Sequence, residues 1–341
     1  MIPIRKYLLQ YKKENLLIIF LILLTSSILT YTSLIHMYAF NELLTGNITN
    51  FIYWYLGDAF LWISYLLLSY YLTIFQEQVI QKMIVATRAD ILSCISEVEY
   101  EDYHKQTTGT YISWLNNDMN TIAQSGFKNL YSLISAIFLT ITSVIVLLSL
   151  NIWIMLGTLA LTFLIIYTPR LFNRYLKKAM ERFTENNAIF VGRLEDTLKG
   201  YDTLFFSNHL NYLISKINQA SNEIAESNVD YTRKSSVVSN SIALISILAQ
   251  IIISFLTGIL AHLGQIIFGS VLTTGSLAGN VFSSLSQALS YKVSIDSVEV
   301  VFEKYNQYRD LVPNKQMQTI IKNSDSEICL KNITYSYDDK K

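Results

Sequence analysis

Charge is scarce in this chain. Lys, Arg, Asp and Glu make up 15% of its 341 residues, against about 25% in an ordinary soluble domain. That shortage disfavours a soluble class and points to a membrane class. Net charge is zero, and no basic face stands out, so a nucleic-acid partner is excluded. Three prolines and twelve glycines are too few for a loop-rich β protein. Cysteine is nearly absent: Cys94 and Cys329 are the only two. They form no metal-ligand spacing, and both fall in stretches expected to face a reducing cytoplasm.

Apolar residues are abundant, at 51%, and mean hydropathy is +0.32. A helix needs about 20 apolar residues to cross the bilayer core. Six runs qualify, at about 16–38, 51–75, 129–150, 152–172, 237–262 and 265–290. The first follows a basic N-terminus but is too long for a signal core, and no small-residue cleavage site follows it. The basic residues decide orientation. Residues 1–15 hold four Lys or Arg, 76–128 four, 170–236 ten and 291–341 eight, which is all 26. The remaining connections hold none. Both termini and the two long excursions are therefore expected in the cytoplasm of a multi-pass protein of the plasma membrane.

The excursions 76–128 and 173–236 carry helical patterning, so each membrane helix is expected to continue as a stalk, turn and return. Residues 100–122, YEDYHKQTTGTYISWLNNDMNTI, are too polar for hydrocarbon. Tyr111, Leu115, Met119 and Ile122 would form one apolar stripe. In the second excursion Phe190, Leu194, Leu198 and Tyr201 repeat likewise, followed by Phe205. Residues 310–327 are polar with Pro313 and read as a linker. The stretch 328–337, ICLKNITYSY, reads as a strand. One or two strands bury no core alone, so residues 328–341 are expected to begin a second, truncated domain.

Four stretches resemble the membrane half of an ABC exporter. YHKQTTGTYISWLNNDMNT, with Gly109, Asn117 and Asp118, is similar to the family's first intracellular loop. LEDTLKGYDTLFFSN, with Glu195 and Gly200, looks like the second. TGSLAG resembles the turn before the sixth span, and ICLKNITYSY the opening strands of the nucleotide-binding domain. The resemblance implies an all-α polytopic membrane protein with six spans, a transmembrane domain over 1–309 and a short C-terminal β segment. It implies coupling helices at Val98, Glu99, Tyr100, Glu101, Asp102, Tyr103 and His104, and at Tyr201, Asp202, Thr203, Leu204 and Phe205. It makes Tyr337 the ring that stacks on adenine. It implies a second transporter half, a nucleotide-binding domain in cis or in trans, and alternating access driven by ATP. Two departures stand out. The sixth span lacks the usual Pro, and Glu299-Val300-Val301-Phe302 lacks the usual Arg. No G-x-x-x-x-G-K-[ST] phosphate loop occurs in the chain. ATP and Mg²⁺ are thus expected only where a complete nucleotide-binding domain is present, and no catalytic residue is assigned here.

Ionisable residues inside spans are costly and mark function by default. Asp58, Gln287 and Lys292 are the candidates for a translocation path. Lys292 and Asp296 are spaced as an i, i+4 pair. His36 and His262 are expected near the outer ends of their spans. Peptide, lipid and hydrophobic drug all suit such an apolar, Tyr-rich set of spans. Two other readings stay open: a nonfunctional remnant, and a membrane sensor or immunity protein that transports nothing.

Overall fold

The long apolar runs fold as helices that outlast a bilayer. The computed structural model describes residues 2–309. The linker at 310–327, the strand stretch at 328–337 and Tyr337 lie outside the described residues. Helix α1 covers Ile2–Gln10, α2 Lys12–Leu44 and α3 Ile48–Glu97. The short α4 (Tyr100–His104) and α5 (Thr108–Ser113) follow. From there the helix runs on through a π-helical stretch Trp114–Asp118, α6 (Met119–Thr121) and a second π-helical stretch Ile122–Lys128. Helix α7 covers Asn129–Leu150, α8 Ile152–Lys199, α9 Tyr201–Phe206, α10 Leu210–His262 and α11 Ser270–Arg309.

The chain is all-α and polytopic. Among the described residues, four helical stretches are long and apolar enough to cross a membrane: Lys12–Leu44, Ile48–Glu97, Thr108–Leu150 and Leu210–His262. Ile152–Thr168 adds a shorter apolar stretch. Helix α3 has 50 residues, about 75 Å at 1.5 Å per residue. Hydrocarbon takes up only about 30 Å of that.

The turns are short and locally satisfied. Helix α2 ends in a Schellman motif: Gly46 N–H donates to Leu43 O and Asn47 N–H to Glu42 O. Gly46 takes φ +79° there, where a side chain would be strained. Asn47 then caps α3 by accepting from Asn50 N–H. Helix α10 ends the same way around Gly264, at φ +72°. A single extended residue, Asn151, separates α7 from α8 and caps α8 through Trp153 N–H at 2.8 Å.

Two buried clusters hold the helices together. Ile18, Ile22, Met83, Ile84, Met119, Ile122, Phe127 and Val298 join α2, α3, the π-helical region and α11. Leu147, Ile154, Ile165, Ile253, Leu277, Val281 and Phe282 join α7, α8, α10 and α11. Lipid is as apolar as Leu, so close packing and hydrogen bonds must supply the specificity. Thr257 pairs with Thr274 across α10 and α11 (2.9 Å), Thr140 with Ser284 across α7 and α11 (2.7 Å), and Thr30 with Thr142 across α2 and α7 (2.8 Å). Asn15, buried, bridges the α1–α2 break by donating to Leu8 O and Tyr11 O, and accepts from the Tyr131 hydroxyl of α7. The polar side chains of α11 are thus used in packing, which is why this helix need not be apolar all round.

The tightest approach is at Gly269, just before α11. A Cβ there would sit 2.1 Å from the Met37 carbonyl oxygen of α2. Gly269→Ala is therefore expected to push α2 from the α10–α11 turn and cost about 1–3 kcal/mol, read as a lowered Tm in detergent. Gly46→Ala meets nothing within 4 Å and should cost only the strain of its φ, about 1–2 kcal/mol.

Candidate coupling surface

The first excursion turns at two tight elements. Val98 and Glu99 are extended and end α3, with ψ 148° and 150°. Tyr100, Glu101, Asp102, Tyr103 and His104 then make the one-turn helix α4. His104 Nδ1 lies 2.8 Å from Tyr100 O, and Asp102 pairs with Lys105. That hydrogen bond to Asp102 holds the Lys105 ammonium above its ordinary value. Thr107 caps α5 by accepting from Thr110 N–H. The expected stripe is largely borne out: Tyr111, Met119 and Ile122 are buried, and Leu115 packs against the same cluster. The π-helical stretch between them leaves carbonyls for side chains of both neighbouring helices. Arg88 Nε of α3 donates to Leu115 O at 3.0 Å, and Tyr305 Oη of α11 reaches Trp114 O at 3.3 Å.

The second excursion is built differently. The C-terminal half of α8 and the N-terminal half of α10 meet along a seam. On α10 the less exposed residues include Leu213, Ile217, Ala220, Ile224, Ser227, Tyr231, Lys234 and Val238. Their alternating spacing of four and three is a coiled-coil repeat. On α8 the seam runs through Phe183, Phe190, Leu194 and Thr197. Phe183 stacks on Tyr231 at 6.0 Å, and Arg193 pairs with Glu223. The stripe expected from the sequence holds at Phe190 and Leu194 but leaves the seam after them. Leu198 and Tyr201 are 53% and 46% exposed, while Thr197 is buried. The reason is geometric: each four-residue step turns about 40° past a full turn, so a run of such steps drifts off the contact line. Glu195 pairs with Lys199, which holds its carboxyl below the usual carboxylate range.

Tyr201, Asp202, Thr203, Leu204 and Phe205 form α9, which continues to Phe206. It ends in a third Schellman motif, with Asn208 N–H donating to Phe205 O and His209 N–H to Leu204 O. Asn208 takes φ +58°, the left-handed region that Asn tolerates. Leu204 is half-buried against the hairpin. Phe206, one residue past the expected range, is 85% exposed, and Tyr100 at the other turn is 78% exposed. Sequence reasoning missed Phe206, and also Trp114, Lys304 and Tyr305. An aromatic directly after the expected helix was the signal for Phe206. The other three become partners only through packing.

Asp58 is buried in α3 and faces α2, where His36 Nε2 lies 3.1 Å from its Oδ2. Among the described residues its Oδ1 has no hydrogen-bond partner. Gln287 and Lys292 stand exposed on α11, and Gln287 accepts from the Tyr291 hydroxyl at 3.3 Å. Lys292 and Asp296 are both exposed and do not pair with each other among the described residues. A separate open groove of about 910 Å³ lies between the C-terminal part of α10 and the first turns of α11, lined by Gln250, Ser254, Phe255, Gly258, His262 and Gly275.

A bundle of membrane-length helices with two long helical hairpins agrees with the family comparison. Residues 16–285 match the model of the ABC transporter transmembrane region. The chain belongs to that family. No curated protein matches it. The ABC transporter match spans α2 through the middle of α11 and takes in α4, α9 and the seam. As the membrane region of an ABC transporter, the chain sits in lipid and pairs with a nucleotide-binding domain. Lys304 and Tyr305 lie beyond the matched residues.

Two outcomes are expected of this surface. Asn208→Val puts a β-branched residue at positive φ, costs about 1–2 kcal/mol, and should speed proteolysis at the α9–α10 turn. Asn208→Gly should leave it unchanged. The second concerns pH. Burial, then the Asp118 charge and hydrogen bond, hold the Tyr305 phenol well above its ordinary value. Burial and the hydrogen bond to Asp90 do the same for Tyr7 of α1. A raised folded pKa means stability that is complete below the free-phenol value of about 10 and is lost as pH rises beyond it. The contacts of α1 and of the α11 end should loosen at strongly alkaline pH, and ultraviolet titration should find these two phenols ionising after the exposed tyrosines.

Proposed function

We propose that this chain is the membrane-spanning subunit of an ATP-driven exporter of the ABC class. The observation that carries the reading is the pair of short helices α4 and α9. Each sits at the turn of a cytoplasmic hairpin and presents an aromatic ring to solvent, Tyr100 at 78% and Phe206 at 85% exposure. Exposed aromatics of this size suit the anchors of an interface. In this reading α4, with Val98 and Glu99, and α9 seat in grooves of nucleotide-binding domains and turn ATP-driven closure into motion of the spans.

The same reading takes six spans, with α8 and α11 completing the four. The buried Leu277, Ala278, Val281 and Phe282 of α11, with its Ser and Thr hydrogen bonds, support a helix that crosses lipid inside the bundle. Both termini face the cytoplasm of a cell whose plasma membrane holds the protein, on the distribution of Lys and Arg. The α8–α10 hairpin buries only its seam and leaves Ile189, Val191, Ile214 and Val229 exposed. Apolar residues on a water-facing stalk favour a second transporter half as their cover. ATP and Mg²⁺ belong to the nucleotide-binding domain, in cis or in trans, with residues 328–341 as its opening and Tyr337 as the adenine platform. Asp58, Gln287 and Lys292 remain the candidates for contact with cargo.

The test is binding of a purified ABC-type ATP-binding domain to the chain in lipid nanodiscs. Tyr100→Ala together with Phe206→Ala should weaken it about 30-fold or more, the roughly 2 kcal/mol of an aromatic anchor. Tyr53→Ala, at the opposite end of the bundle, should leave it unchanged. Native affinity in the double variant would overturn the reading, as would a native chain that binds no such domain.

A further inference from the structure

The first excursion and the last turns of α11 are joined at one carboxylate. Asp118 Oδ2 accepts a hydrogen bond from Tyr305 Oη at 3.0 Å and lies 3.4 Å from Lys304 Nζ. The Tyr305 hydroxyl also lies 3.3 Å from Trp114 O. The rings around this point form an unbroken run. Tyr305 meets Trp114 edge-on at 5.7 Å, Trp114 meets Tyr111 edge-on at 5.4 Å, and Tyr111 stacks on Tyr103 of α4 at 4.8 Å. The Tyr111 hydroxyl donates to Tyr103 O at 2.8 Å, so α4 is held by main chain as well as by ring. Both Tyr111 and Tyr305 are buried. Edge-to-face and offset pairs resist sliding, because the ring quadrupoles favour one geometry.

On either side of α6 the backbone is π-helical, at Trp114–Asp118 and Ile122–Lys128. Such turns are uncommon and are the soft points of a helix. Asp118 closes the first of them. The second excursion is built otherwise: α9 packs on α8 and α10, its own two neighbours.

We infer that Trp114, Asp118 and Tyr305 are positioning residues that make α4 and the C-terminal end of α11 one rigid body. Displacement of α4 then passes below the bilayer to the end of α11 at Arg309, and the second π-helical stretch, Ile122–Lys128, takes up the bending before α7 enters the membrane. The two short helices are thus unequal: α4 drives α11 directly, and α9 moves with its own hairpin. The inference rests on α4 being a coupling helix, but the rigidity it claims belongs to the chain alone.

The experiment places spin labels at the exposed positions Glu101 and Glu303, in a Cys94→Ser, Cys329→Ser background, and measures their distance by pulsed electron paramagnetic resonance. The native chain should give one narrow distance. Tyr305→Phe, which removes only the hydroxyl, and Asp118→Ala should both lose it to a broad distribution. Asp118→Asn, which keeps an acceptor for the hydroxyl, should recover most of it. Labels at Thr45 and Ser149, at the other end of the bundle, should keep their distance in every variant and so report an intact fold. When an ABC-type ATP-binding domain is added, the Glu101–Glu303 distance should stay fixed in the native junction while Glu101–Ser149 shifts. Native-like narrow distances in Tyr305→Phe and Asp118→Ala would overturn the inference, as would a Glu101–Glu303 distance that changes on binding. If no domain binds, the proposed function fails, and the chain-alone distances still decide the junction.

Discussion

Every backbone polar group at bilayer depth must find its partner inside its own helix, because lipid offers none. The rest of the structure depends on that constraint. It forces uninterrupted helices across the membrane and pushes each irregular peptide out to the ends. The turns at Gly46 and Gly264 show how tightly the ends are then finished, with the last carbonyls of α2 and α10 taken up by the next N–H groups. It also explains where helical regularity relaxes. The π-helical stretch at 114–118 lies where Arg88 and Tyr305 can reach its carbonyls.

Below the membrane water returns and the two excursions diverge. The first is absorbed into a multi-helix cluster with α1, α2, α3 and α11. The second is a two-helix hairpin with a narrow seam and apolar residues left outside. Each excursion has a short helix at its turn. Their unequal support gives α4 and α9 different mechanical neighbourhoods, and in an exporter that difference would separate a direct lever from a following one.

Much of the site was legible in the chain. The polarity of residues 100–122 placed them in water, and the stripe at Tyr111, Met119 and Ile122 is buried as its spacing demanded. The resemblance to a family loop pointed to Tyr201–Phe205, where α9 folds. Legibility failed in two ways. Phe190, Leu194 and Leu198 repeat at four-residue steps, yet Thr197 rather than Leu198 takes the buried place, because two long helices keep contact along a 3.5-residue line. And nothing near Asp118 in sequence announces Tyr305, 187 residues away.

By itself the sequence determined the properties that local composition sets: which segments are apolar enough for lipid, which are too polar for it, and which connections carry the positive charge. Each of these belongs to one segment and its solvent. Only the tertiary structure decided which helices share a core, which side chain meets the Asp118 carboxylate, that His36 faces Asp58, and that the backbone at Gly269 presses on Met37. Those outcomes depend on how helices of fixed shape fill space together, and close packing of distant segments leaves no mark on the local pattern of either one.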